Sequence, residues 1–152
     1  MLIATLVAVA LLLGAFLRVW ALDFGLPSWL HPDEYSFVFF PLNFWSGDLN
    51  PHFFTYPTLQ YYLLSLVYLG YFGLQYAVGN GQSLPEFVAY HYFWNQTDLM
   101  LVARALSAAM GVATVGWTAL LARSAFGPRA AVVAAFLMAV CPLHVRQSHL
   151  AG

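Results

Sequence analysis

The chain contains no lysine, and only 7% of its residues carry charge. Its single cysteine, Cys141, excludes an internal disulfide framework; set in an apolar run, it reads as an inert packing thiol. A formal net charge of −1 leaves no basic footprint, which argues against nucleic acid as a partner. What the chain has in excess is apolar surface: 62% hydrophobic residues, 18% aromatics and a mean hydropathy of +0.73. A soluble domain of 152 residues has no room to bury so much, so composition indicates an integral membrane protein.

The first apolar run, from Leu2, has no lysine or arginine ahead of it, and Val19-Trp20-Ala21 is a poor cleavage site. It therefore reads as a retained span rather than a signal peptide. Arg18 is expected to snorkel to the headgroups and Trp20 to sit at the interface, carrying the span to Leu22. A second span begins at Leu99, rich in Ala, Gly and Ser that suit close helix packing in lipid. Gly127 and Pro128 stop it, and a third run returns from Ala130, with Pro142 expected to kink or end it. Arg123 and Arg129 bracket the short connection, which places that connection on the cytoplasmic side. The run from Tyr56 to Val78 is long enough to span but is rich in tyrosine, an interface residue. The charge argument favours a helix lying on or half within the membrane surface.

The expected fold is thus an all-α integral membrane protein with three transmembrane helices, at 1–22, 99–122 and 129–147. A large external loop, 23–98, carries juxtamembrane helices near 33–46 and 57–78. That loop opens on His31-Pro32-Asp33-Glu34-Tyr35, two adjacent carboxylates in a chain with six in all. Asp33 and Glu34 suit the first turn of a short helix, where carboxylates complement the positive end of the dipole. Pro41 should kink or stop that helix. Asn95-Gln96-Thr97 matches the weak pattern of a glycosylation sequon. On the residues alone, the acidic pair reads as a solvated helix cap, while Arg104, an arginine inside an apolar helix, marks a functional partner, with snorkelling to the interface as the alternative.

The ordered set of features resembles the membrane-embedded, lipid-phosphosugar-dependent glycosyltransferases of the GT-C type. The nearest group is the protein O-mannosyltransferases and aminoarabinose transferases (glycosyltransferase family 39). The residues that carry the resemblance are Arg18-Val19-Trp20 ending an apolar helix, then HPDEYS, GDLNPHFFTYPTLQYYLL, VARALSAAMG, ARSAFGPRAA and PLHVRQSHLAG. They cover nearly the whole chain from about Leu11. The resemblance implies that a sugar moves from a polyprenyl-phosphate donor to a hydroxyl acceptor at the extracytoplasmic face of the cell membrane. Asp33 is then the general base, because a hydroxyl is a poor nucleophile without a carboxylate to take its proton. The phosphate leaving group is a stable anion and needs no strong acid opposite. Glu34 would orient the acceptor or Asp33, and Arg104 would hold the lipid phosphate through its planar fork.

His149, Tyr56 and His31 are counted with Arg104 as substrate-binding. His149 clusters with His144 and Arg146 at the outer end of the last span, where they line the site or anchor the membrane edge. No cofactor is expected, while a divalent metal stays open. His31, His52 and Asp33 lack metal-ligand spacing, and Tyr56 stands where aminoarabinose transferases carry a charged residue before the loop proline. The partners implied are the donor lipid, a hydroxyl acceptor on protein, lipid or glycan, and the bilayer. In the family a further acidic residue and many more spans follow the segment matching Ser148-His149-Leu150, so the chain is expected to be an N-terminal fragment, inactive alone. A transporter or channel fragment, or a non-catalytic membrane scaffold, is the alternative reading of the same residues.

Overall fold

The computed structural model describes residues 2–28 and 31–151; Met1 of the expected first span, Trp29 and Leu30 of the expected loop, and Gly152 lie outside the described residues. The elements are α1 (Leu2–Val19), α2 (Glu34–Asn43), α3 (Thr58–Gln75), α4 (Leu84–Phe93), α5 (Gln96–Phe126), α6 (Pro128–Val140) and α7 (Pro142–Gln147). A 3₁₀ turn, Phe44–Ser46, follows α2, and a π-helical turn, Tyr76–Asn80, follows α3. The protein is all-helical, with no strand among the described residues. Two helices, α1 and α5, are long and apolar enough to cross a membrane, while α6 is apolar but shorter. The chain divides into two compact units: one runs to Leu22 and resumes over Ser107–Leu150, the other covers Asp23–Leu106 with Ala151.

In the first unit, α1 buries Ala10, Gly14 and Arg18, and α6 buries Ala131, Ala135 and Ala139. Both sets recur every four residues, so each helix presents one buried stripe; its members other than Arg18 are small and let the backbones approach closely. A Cβ added to Gly14 would sit 3.4 Å from Val115 of α5 and 3.5 Å from Ala139 of α6. Val7, Leu11, Phe136 and Met138 pack around this seam. The outward faces are also apolar, with Leu12, Phe16, Trp117, Leu121 and Leu137 exposed. Helices apolar on both faces belong in an apolar surrounding.

The expected third span is two helices rather than one. Pro142 has no N–H for the Met138 carbonyl four residues back, and the helix breaks at Cys141. Arg18 fills the vacancy. Its Nη2 donates to the Met138 carbonyl at 3.1 Å and its Nη1 to the Ala139 carbonyl at 3.1 Å and the Gly14 carbonyl at 2.9 Å. Arg18 is fully buried, which corrects the expectation that it reaches the headgroups. Carbonyls left by a broken helix offer a guanidinium more than a lipid surface does.

The second unit is built on aromatic packing. Phe37, Phe39 and Phe44 from the α2 segment meet Tyr61, Leu64 and Tyr68 of α3, Phe87 of α4, and Leu99 and Met100 of α5. Trp45 donates its indole N–H to Ser65 at 2.9 Å. Pro41 lies inside α2, two residues before its end at Asn43, and the 3₁₀ turn that follows closes where Gly47 adopts φ 95°. Helix α4 was not expected at all, although Ser83 and Glu86 form a capping box, Ser83 N–H to Glu86 Oε2 being 2.7 Å, with Pro85 in the first turn.

Ala135 is fully buried in the α1–α6 seam and Val133 is 59% exposed, so the two sites should answer differently to a larger side chain. Ala135→Leu is expected to cost about 1–3 kcal/mol, whereas Val133→Leu is near neutral. Thermal unfolding in detergent measures both.

Candidate functional site

Consecutive residues in a helix point about 100° apart, so two adjacent carboxylates at a helix start face different surroundings. Asp33 caps α2 and keeps a side chain 42% exposed, while Glu34 begins the helix and is 1% exposed. The sequence offers a pair; the fold separates it.

Glu34 is enclosed by three donors. Arg104 Nε lies 2.8 Å from Oε1 and Arg104 Nη2 lies 3.0 Å from Oε2, a bidentate pairing, and the Ala151 N–H reaches Oε1 at 3.1 Å. Arg104 Nη1 also donates to the Phe24 carbonyl at 3.0 Å. Arg104 is 2% exposed. Its fork, expected on a lipid phosphate, is turned to a carboxylate of its own chain, and Glu34, expected to orient an acceptor, is covered. Both act on the position of α2.

Asp33 lies in a different setting. The Tyr56 hydroxyl donates to its carboxylate, and the His31 Nδ1 is 3.6 Å from its Oδ2. The hydrogen bond to Asp33 holds the Tyr56 phenol above the usual tyrosine range, with loss of solvent and the nearby negative charge adding to it. The Tyr56 ring is fixed between Phe37, at 5.0 Å, and Phe53, at 6.0 Å. Three of the expected site residues, Asp33, His31 and Tyr56, thus come together, with the Asp33 carboxylate part-exposed. A carboxylate so held can accept a proton from a bound hydroxyl. Among the described residues, no three His, Cys, Asp or Glu side chains form a group placed to hold a metal ion.

Downstream, the loop closes on itself. His52 Nε2 and Asp48 Oδ2 are 2.7 Å apart, the Asn50 N–H donates to Asp48 Oδ1 at 2.8 Å, and Tyr62 donates to the Leu49 carbonyl at 2.9 Å. The His52 bond, followed by that from Asn50, holds the Asp48 carboxyl below the usual carboxylate range.

His149 belongs to the first unit, where its Nδ1 faces the Val145 carbonyl and its Nε2 the Trp20 carbonyl. His144 Nδ1 accepts from Arg18 Nη2 at 2.7 Å, and Arg146 is exposed.

Sequence reasoning missed one polar cluster. Asp98 Oδ2 accepts from Asn95 Nδ2 at 2.9 Å and from the Tyr71 hydroxyl at 3.3 Å, with His91 Nε2 at 3.9 Å. The signal was there: Asn95 three residues before Asp98 is a helix-start pattern for α5, and the same Asn was read only as a sequon. An apolar recess of about 470 Å³ between α2 and α4, lined by Leu42, Trp45, Pro85 and Val88 among others, takes none of the acidic residues.

No protein-family profile, curated protein or solved structure matches this chain.

Removing one partner of the buried pair leaves a bare charge. Arg104→Leu is expected to cost about 3–5 kcal/mol of stability, and Glu34→Leu with Arg104→Leu to recover most of it. Denaturant unfolding in detergent of the wild type, Arg104→Leu, Glu34→Leu and the double variant tests this double-mutant cycle.

Proposed function

We propose that the protein is a membrane glycosyltransferase of the GT-C kind, moving a sugar from a polyprenyl-phosphate donor to a hydroxyl acceptor. The observation that carries the reading is the separation of the acidic pair. One carboxylate is neutralised and buried by Arg104, while its neighbour stays open with a tyrosine hydroxyl and an imidazole beside it.

In the reaction, the acceptor oxygen attacks the anomeric carbon as Asp33 takes the acceptor's proton. The bond from that carbon to the phosphate oxygen breaks, and polyprenyl phosphate leaves as an anion with the bonding electron pair. Tyr56 orients the Asp33 carboxylate by its hydrogen bond, and His31 faces the acceptor side. Glu34 and Arg104 are positioning residues that fix the first turn of α2.

The membrane arrangement proposed with it has three crossings: α1, α5, and α6 with α7. The Arg-flanked turn at Gly127 is cytoplasmic and the segment from Asp23 to Asn95 extracytoplasmic, with α3 along the membrane surface. The exposed leucines of α3, Leu59, Leu66 and Leu74, support that placement. A transport path is the second reading, favoured by the break between α6 and α7, whose carbonyls bind a buried cation.

Asp33→Asn in the full-length protein is expected to lower sugar transfer from a polyprenyl-phosphate donor by about 10²–10⁴-fold; near-normal transfer by this variant would end the assignment of the base. Membrane sidedness has its own check. A thiol reagent that cannot cross the membrane should label Ser83→Cys from outside and leave Ser124→Cys untouched, both in a Cys141→Ser background. Labelling of Ser124→Cys from outside overturns the topology.

A further inference from the structure

Three of the four tyrosines of α3 place their hydroxyls on acceptors. Tyr62 donates to the Leu49 carbonyl at 2.9 Å, Tyr68 to the Leu99 carbonyl at 3.4 Å and Tyr71 to the Asp98 carboxylate at 3.3 Å. The fourth, Tyr61, is fully buried, and its hydroxyl meets no hydrogen-bond partner among the described residues. A hydroxyl withdrawn from water and left unpaired opposes folding, and a phenylalanine would pack in the same place without that penalty. We infer that the Tyr61 hydroxyl is a sugar-binding group of the Asp33 site, and that its partner is a hydroxyl of the sugar to be transferred. This role rests on the glycosyl-transfer reading above and adds a residue to its site.

The packing joins Tyr61 to that site. Its ring lies against Phe37, at 5.5 Å between centroids, and against Phe40, at 6.1 Å, both on α2. Phe37 also carries the Tyr56 ring at 5.0 Å, and Phe53 bridges Phe40 and Tyr56 at 4.9 and 6.0 Å. Phe37 stands one turn after Asp33, its N–H donating to the Asp33 carbonyl at 3.4 Å. Tyr56, which shares the Phe37 ring with Tyr61, holds the Asp33 carboxylate. The two phenols also sense one another. Burial first, and then the neighbouring Tyr56, push the Tyr61 phenol above the usual tyrosine range. Tyr61 therefore stays a neutral hydroxyl, able both to donate and to accept.

Charge narrows the ligand class. Arg104, the one arginine between Asp23 and Leu106, is engaged with Glu34 and the Phe24 carbonyl. The charge beside Tyr56 is the Asp33 carboxylate, which repels an anion. A second hydroxyl is the natural match for one that donates and accepts, and the C–H faces of a sugar ring suit a wall of aromatic rings. The transferred group is a sugar whatever the acceptor, which assigns the contact to the donor.

The test uses the full-length protein in detergent, with polyprenyl-phosphate mannose and its monodeoxy analogues as probes. Without a probe, Tyr61→Phe should unfold at the wild-type temperature or slightly above it, because the hydroxyl it loses has no partner. With the donor, Tyr61→Phe should raise the donor KM about 10-fold and leave the acceptor KM unchanged. One monodeoxy donor should abolish that difference, since wild type and Tyr61→Phe then lack the same bond. Donor binding to Asp33→Asn and to Asp33→Asn with Tyr61→Phe gives the same ratio without turnover. A fall of about 2 °C or more in the unfolding temperature of Tyr61→Phe, an unchanged donor KM, or a loss that persists with every monodeoxy donor overturns the inference. If Asp33→Asn transfers normally, the assignment of the base falls instead, and the binding ratio still decides for Tyr61. The analogues also decide on the unaltered protein, where equal binding of mannose and all monodeoxy donors overturns the inference with no substitution made.

Discussion

The second unit depends on the bond between Glu34 and Arg104. Two charges withdrawn from water are costly, and their attraction offsets that cost only when the geometry is good and the other lone pairs are filled. Here the guanidinium meets the carboxylate at two points and the Ala151 N–H takes a third position. The pair does more than neutralise itself. It fixes the first turn of α2 against α5, and with the rotation of that turn settled, the adjacent carboxylate has one direction left to face.

The first unit answers the same difficulty without carboxylates. Arg18 is fully buried yet bonded to three carbonyls, two of them released by the break at Pro142. The proline that ends α6 and the arginine that ends α1 are complementary defects: one removes a donor and the other supplies donors. Gly111 reflects how closely this is packed, since a Cβ there would meet Arg18 Nε at 2.9 Å and crowd the Ser148 hydroxyl.

Much of this was legible in the amino-acid sequence because it is local. The apolar lengths of α1 and α5, the helix start at Asp33-Glu34 and the break at Pro142 each follow from neighbouring residues. What was not legible depends on distance along the chain. Arg18 read alone belongs at the headgroups; only the folded chain brings it to carbonyls 120 residues away. Arg104 reads as a phosphate ligand until Glu34, 70 residues earlier, is seen against it. Pro41 was expected to kink or stop α2, and it lies in the last turn, where only the bond to the Phe37 carbonyl is forfeited. Helix α4 is different, since its Ser83–Glu86 capping signature was readable and simply outweighed by the tyrosine-rich run before it. At the candidate site, the grouping of Asp33 with His31 was readable from spacing, whereas the arrival of Tyr56 required the whole loop.

The seam between α1 and α6 has a further consequence. Ala10, Gly14, Ala131, Ala135 and Ala139 have no side-chain torsions to freeze, so bringing these two helices together sacrifices almost no rotational freedom in the side chains that touch. The ordering cost of the joint is concentrated in one long side chain, Arg18, which gives up its rotamers only where the α6 carbonyls are in place. Docking along the stripe is therefore entropically undemanding, and the choice of register along it falls to that single arginine.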